Sequence, residues 1–208
     1  MTTLIPALSA AILAGGASSR MGRNKALLEL EGIRLIERVL ARLELLADDI
    51  LVSTNDPEPY GFLQGRVRFV PDAVGQGPLA GIASALAAAR HPRLLVVAAD
   101  MPFLNSHLLR YLALLDPTVE ITAPVIDANG LPEPLHAIYS QAILPIVEAQ
   151  LASGNRKVLD LFPQVRVREV PRAEIAPFDP TLRSFFNANT PEEWALAEQL
   201  ANEHLDHL

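Results

Sequence analysis

Cysteine is absent from the 208 residues, which excludes disulfides and thiolate metal sites and fits a reducing compartment. Positive charge is scarce: 17 Lys and Arg against 24 Asp and Glu leave a net charge of -7. Such an acidic balance argues against nonspecific binding to nucleic acid or an anionic membrane, which needs a basic face. No uninterrupted apolar run reaches the roughly 18–20 residues that span a bilayer. The apolar and small residues at 4–17 have no cation ahead of them, the first being Arg20, whereas a secretory signal carries its charge in front. These absences predict a soluble, cytoplasmic protein with neither nucleic acid nor membrane as partner. The histidines (His91, His107, His136, His204 and His207) show no ligand spacing apart from the tail pair, and no Ser–His–Asp arrangement is visible.

What is present is concentrated at residues 11–25. An apolar run from Leu8 to Leu13 stops at Gly15-Gly16, small residues follow, and Arg20, Arg23 and Lys25 come next, with no Asp or Glu before Glu29. Glycines let backbone N–H groups close on an anion and the cations neutralise it, so this stretch suits a polyphosphate. The alternative is a tight strand–helix turn with a solvated basic edge. Neither the Walker A order nor the dinucleotide Gly-x-Gly-x-x-Gly is present.

Around this loop, apolar patterning predicts strands at 8–14, 50–54, 67–70, 94–99 and 119–125. Helices are expected from Ile33 to about Leu46, from Leu79 to Arg90, and from Asn105 or Ser106 to Leu115. That alternation predicts an α/β protein with a mostly parallel sheet covered on both faces. The second half is less regular. A turn at 127–130 leads to an extended Leu131–Tyr139 whose two prolines suggest an edge or antiparallel segment. Helices at about 141–152 and 155–162 and a strand at 164–170 follow. A capping box at Thr190-Pro191-Glu192-Glu193 opens a terminal helix to about Leu205. The length suits one domain, and no linker or repeat is visible.

Three polar residues end predicted strands: Asn55, Asp72 and Asp100. Ligands of open α/β sheets bind beyond the carboxyl ends of the strands. Asp100 there either caps the turn before Met101-Pro102 or holds Mg²⁺ beside a bound phosphate. Asp72 and Asn55 are open to a structural turn role or to nucleotide contact.

Residues Leu13, Ala14, Gly15, Gly16, Ser18, Arg20, Met21, Gly22 and Lys25 match the signature loop of the nucleotidyltransferases. The chain most resembles the molybdenum cofactor guanylyltransferases, with further similarity at 72–81, 100–103 (Asp-Met-Pro-Phe), 132–136 and 186–191. The resemblance implies a single-domain, three-layer Rossmann-like nucleotidyltransferase fold. About 1–115 would bind nucleotide, and about 116–208 would bind the acceptor. It implies transfer of GMP from Mg²⁺·GTP to the terminal phosphate of molybdopterin-bound molybdenum cofactor. Leu13, Ala14, Gly15, Gly16, Lys25, Asn55, Asp72 and Asp100 would bind nucleotide, the first four through loop amides. Arg20, Lys25 and Asp100 would be catalytic, and Asp100 the metal ligand. Asn187 and Asn189 would face the pterin, with ordinary turn chemistry as their alternative. Arg156-Lys157 would meet the pterin phosphate or simply be solvated, and Arg23, off the motif, would be solvated. Proteins that deliver the cofactor or receive the product are further possible partners. Other readings of the same residues are a cytidylyltransferase, a sugar-phosphate nucleotidyltransferase or a silent nucleotide-binding adaptor. Cytidylyl relatives tend to read Ala-Ala-Gly where this chain has Ala14-Gly15-Gly16.

Overall fold

The computed structural model of the chain describes residues 5, 7–15, 24–72, 77–126, 129–188 and 190–205. The apolar run at the start forms β1 (Leu8–Leu13), buried along its whole length. Next come a short hairpin, β2 (Glu29–Leu30) with β3 (Ile33–Arg34), and helix α1 (Leu35–Leu43). Strand β4 (Asp49–Ser53), strand β5 (Arg68–Val70), helix α2 (Pro78–Ala88) and strand β6 (Arg93–Ala98) follow. Helix α3 (Ser106–Leu114), strands β7 (Ile121–Val125) and β8 (His136–Ser140) and helix α4 (Leu144–Ala152) come next. Strand β9 (Val167–Pro171), the single turn α5 (Arg172–Ile175) and the terminal helix α6 (Pro191–Leu205) complete the chain.

The main sheet has seven strands in the order β5-β4-β1-β6-β8-β7-β9. Strands β5, β4, β1 and β6 are parallel, β8 runs antiparallel to both neighbours, and β7 pairs parallel with β9. Side chains alternate across a strand, which here feeds two cores. Leu8, Ala10 and Ile12 of β1 face one core with Ile36, Leu40 and Leu108, and Ala11 and Leu13 face the other with Leu79, Ile82 and Val147. This is the three-layer α/β architecture that the alternation predicts. Two caps are also as expected. Asn105 accepts from the amides of His107 and Leu108 at 2.9 and 3.1 Å, and Thr190 and Glu193 bond each other's backbone amides reciprocally.

Three local expectations differ. Ile33 does not start α1 but lies in the hairpin, where Glu31 and Gly32 both take positive φ (53° and 74°), the geometry of a two-residue hairpin turn. The prolines of 131–139 lie ahead of β8 rather than within it: β8 is antiparallel, one of the two expected outcomes, but it pairs on both sides inside the sheet instead of lying at an edge. Pro132 makes only an isolated bridge to Val125. The short helix expected at 155–162 is instead a 3₁₀ segment, Val158–Gln164, that contains Pro163. The turn expected at 127–130 lies partly outside the described residues.

A third, small core docks α6. Ala197 and Ala201 pack with Leu30, Leu35 and Ala188, flanked by Phe103, Phe186 and Trp194. The lead-in to α6 also reaches the carboxyl end of β6, where the amide of Ala188 donates to the carbonyl of Asp100 at 3.1 Å.

Candidate active site

At the carboxyl ends of β1 and β6 lies a cleft of about 220 Å³, lined by Leu13, Gly15, Lys25, Pro78, Ala99 and Asp100, with Ala14 also on its wall. Two side chains of opposite charge thus face one space. They arrive there by different routes. Asp100 is the second residue beyond β6, and the amide of Ala99 before it donates to the carbonyl of Leu13 at 3.1 Å, which ties the two strand ends together. Lys25 opens a 3₁₀ turn, Lys25–Leu27, capped by Asn24, whose Oδ1 accepts from Ala26 N at 3.2 Å. The first turn of α2 forms another part of the wall through Pro78, and Gly77 caps it with no side chain. A helix N-terminus carries partial positive charge and favours an anion.

Burial pushes the Asp100 carboxyl above its ordinary value, and Glu193 adds to this, while its own backbone amide and Lys25 oppose it. A carboxylate so disfavoured gains from a cation. Among the described residues no group of three or more His, Cys, Asp or Glu could hold a metal. A single carboxylate such as Asp100 beside a bound phosphate is a donor set that magnesium commonly takes, with its other ligands from phosphate oxygens and water.

Asp72 stands at the edge of the cleft. Its Oδ1 accepts a short hydrogen bond from the hydroxyl of Ser53, and its amide donates to Asn55 Oδ1 at 2.9 Å. Its other oxygen lies against the loop: a Cβ added to Gly15 would stand 3.2 Å from Asp72 Oδ2. At Gly81 of α2 a Cβ would stand 2.9 Å from Ser53 Oγ and 3.2 Å from Leu13 Cδ2. These two glycines let β1, α2 and the Asp72 carboxylate come together.

The structure thus gathers Leu13, Ala14, Gly15, Lys25 and Asp100 in one cleft, with Asp72 and Asn55 joined at its border. Asn187 does not line the cleft. Its Nδ2 donates to Phe185 O at 3.3 Å, and its neighbour Ala188 holds the Asp100 carbonyl. Gly16, Arg20, Arg23 and Asn189 lie outside the described residues. One detail of the expected loop chemistry changes. The amide of Ala14 donates to Ser53 O at 3.0 Å, and Leu13 is still within β1. Ala14 therefore shapes the cleft without offering its N–H to an anion. A larger cavity of about 440 Å³, between Arg38, Arg42, Phe103 and Leu200, holds none of the residues assigned from the sequence.

Residues 10–169 match the family model of the MobA-like NTP transferase domain. The chain belongs to that family. Its MobA-like relatives include a protein of Carboxydothermus hydrogenoformans described as a "Probable molybdenum cofactor guanylyltransferase". The two are 38% identical over 190 residues, which cover 90% of this chain and 93% of that one. A Methanosarcina mazei protein of the same description is 36% identical over 196 residues, 89% of this chain and 87% of its own. Among solved structures, the molybdopterin-guanine dinucleotide biosynthesis protein A of Archaeoglobus fulgidus superposes with a TM-score of 0.81 at 30% identity, covering 94% of this chain and 99% of that one. The protein is thus a nucleotidyltransferase with the single-domain fold of that family.

Two contributors to this MobA-like site escape sequence reading. Ser53 is the last residue of β4, fully buried, and nothing local marks it as the partner of Asp72, 19 residues on. Tyr60 lies in a 3₁₀ segment, Glu58–Leu63, and its hydroxyl is within hydrogen-bond distance of Asn24 and Ala14, 36 and 46 residues away. Only the fold brings these pairs together. The lone signal was a tyrosine in a loop otherwise rich in turn residues.

Proposed function

We propose that the protein transfers GMP from GTP to the terminal phosphate of molybdopterin-bound molybdenum cofactor, releasing pyrophosphate. The observation that carries this reading is Lys25 and Asp100 facing one cleft at the carboxyl strand ends, in a chain whose relatives are described as guanylyltransferases of that cofactor. Lys25, with Arg20, neutralises the triphosphate and the departing pyrophosphate. Asp100 holds Mg²⁺, which when bound offsets negative charge on the phosphate oxygens. Gly15 and Gly16 bring the loop backbone against the phosphates. Asp72, aimed by Ser53, and Asn55 accept or donate hydrogen bonds to the nucleoside. Asn187 and Asn189 are assigned to the acceptor by their place in the 186–191 motif. Residues of about 1–115 thus serve the nucleotide and those of about 116–208 the acceptor.

In the reaction an oxygen of the acceptor's terminal phosphate forms a bond to the α-phosphorus of GTP, and the bond from that phosphorus to pyrophosphate breaks. A phosphate monoester with a second pKa of about 6 is already largely dianionic at neutral pH. The attacking oxygen needs no base, so positioning and charge neutralisation supply the catalysis.

The guanylyl reading is preferred to the cytidylyl one on Ala14-Gly15-Gly16, where cytidylyl relatives tend to read Ala-Ala-Gly. An alanine at residue 15 would place its Cβ 3.2 Å from Asp72 Oδ2, so that this carboxylate would have to give by a few tenths of an ångström. Mass spectrometry of the product tests the assignment. Incubation with molybdopterin cofactor, Mg²⁺ and GTP is expected to yield a cofactor heavier by one GMP. A cofactor unchanged by GTP but enlarged by CTP overturns it.

A further inference from the structure

Tyr60 is 1% exposed. Burying a phenol hydroxyl without a partner is costly, and this one has partners only around the loop that opens the cleft. It accepts from Asn24 Nδ2 at 2.9 Å, and two acceptors stand within reach of its proton, the carbonyl of Ala14 at 3.3 Å and Asn24 Oδ1 at 3.2 Å. Ala14 follows β1 directly, and Asn24 directly precedes Lys25. The same Asn24 side chain uses its Oδ1 to cap the Lys25–Leu27 turn through Ala26 N. Ala14 is held on its other side by Ser53 O. A continuous chain of hydrogen bonds therefore runs from β4 through Ala14, Tyr60 and Asn24 to the turn that carries Lys25.

We propose that Tyr60 is a positioning residue for nucleotidyl transfer, its hydroxyl fixing the Lys25 turn relative to the end of β1. The role rests on the proposed function for its catalytic meaning, because Lys25 is the cation assigned to the phosphates. A phenylalanine would fill the same space and lack only the link. Burial, opposed by the bond from Asn24 and aided by Asp56, raises the phenol's pKa, so the hydroxyl keeps its proton through the neutral range and remains able to donate to Ala14. Small errors in the placement of a group acting on a transition state cost rate more than they cost ground-state binding.

The chain contains only two lysines, Lys25 and Lys157, so reductive ¹³C-methylation gives each an assignable signal and makes Lys157 an internal control. In ligand-free protein, Tyr60→Phe is expected to move the Lys25 signal and leave that of Lys157 in place. The same variant is expected to lower kcat about tenfold, with KM for GTP within about twofold, the scale set by losing one buried hydrogen bond. In an Asn24→Ala background, where the link is already cut, Tyr60→Phe is expected to lower kcat less than about threefold, the non-additivity of residues that act through one another. Tyr60→Phe with an unchanged Lys25 signal or an unchanged kcat overturns the proposal. So does a loss of kcat in which both lysine signals move together, which marks general loosening of the fold. If Tyr60→Phe does not fold, the Lys25 signal of Asn24→Ala decides: a shift supports the link, and none refutes it. Should the wild-type protein show no turnover of Mg²⁺·GTP, the functional reading fails by itself, and the ligand-free Lys25 signal still decides whether Tyr60 positions that turn.

Discussion

The hydroxyl of Ser53 donates to Oδ1 of Asp72, joining the ends of β4 and β5 beneath Gly15 and Gly81. Without that bond the carboxylate is free to rotate away from the cleft edge. Ser53→Ala is therefore expected to raise KM for GTP about tenfold while kcat stays within about twofold, the pattern of lost ground-state binding. Steady-state kinetics with GTP as the varied substrate check this.

Gly81→Ala attacks the same arrangement from the helix side. Its Cβ would stand 2.9 Å from Ser53 Oγ and 3.2 Å from Leu13 Cδ2, so the serine or the helix must shift. Overpacking of a tight site costs about 1–3 kcal/mol. We expect a lower melting temperature together with a raised KM for GTP, measured by thermal unfolding and by the same kinetics.

His136 gives the protein a particular response to acid. It is fully buried on β8, its ring tilted by 35° against that of Phe185 with centroids 4.4 Å apart, and among the described residues neither ring nitrogen makes a well-formed hydrogen bond, the backbone of Ser184 only weakly opposing the effect of burial. Burial pushes its pKa down from 6.5 to about 3. The unfolded chain thus takes up a proton that the folded one refuses. Stability is full above about pH 6.5 and falls by about 1.4 kcal/mol for each unit below it, until the folded pKa is reached. Denaturant unfolding at pH 7 and pH 5 is expected to show this slope in the wild-type protein and its removal in His136→Leu.

At the opposite end of the sheet from the cleft, Asp49 accepts from Ser9 Oγ at 2.6 Å, from the amide of Arg90 at 2.9 Å and from Arg68 Nη2 at 2.6 Å. Burial works to raise its pKa, but the bonds from Ser9, Arg90 and Arg68 outweigh it and hold the carboxyl below its usual range. Asp49→Asn is expected to lose about 2 kcal/mol of stability, the scale of hydrogen bonds to a charged group. The melting temperature should fall by about 4–8 °C in a domain of this size. Turnover at 25 °C should be unchanged, because the network joins strand ends remote from Lys25 and Asp100.

Much of this architecture is legible in the sequence because apolar periodicity and capping chemistry are local signals. β1, α2, β6 and the capped starts of α3 and α6 all announce themselves in this way. The hairpin at 29–34 does not, since Ile33 falls at helical spacing with Ile36 and the Glu31-Gly32 turn lacks the usual Asn-Gly signature. The antiparallel course of β8 is one of the two readings its prolines allow, but its place inside the sheet is not legible. Pro132 and Pro134 signal a break in pairing, and nothing local says that pairing resumes on both sides from His136. In the site, Lys25, Asp72 and Asp100 stand at strand ends or in a recognisable loop. The residues that hold them, Ser53 and Tyr60, act across 19 to 46 residues of chain, and no local pattern records such a pairing.

In the proposed reaction Lys25 and Asp100 act together on a guanosine triphosphate. The measurement that tests it most directly is Mg²⁺-dependent pyrophosphate release with molybdopterin cofactor and each of GTP, CTP, ATP and UTP, by the wild-type protein and by Lys25→Ala and Asp100→Ala. We predict release with GTP that requires the cofactor and falls at least about tenfold in each variant, equivalent to about 1.4 kcal/mol of barrier. Wild-type rates in both folded variants, or release with CTP in place of GTP, would contradict it.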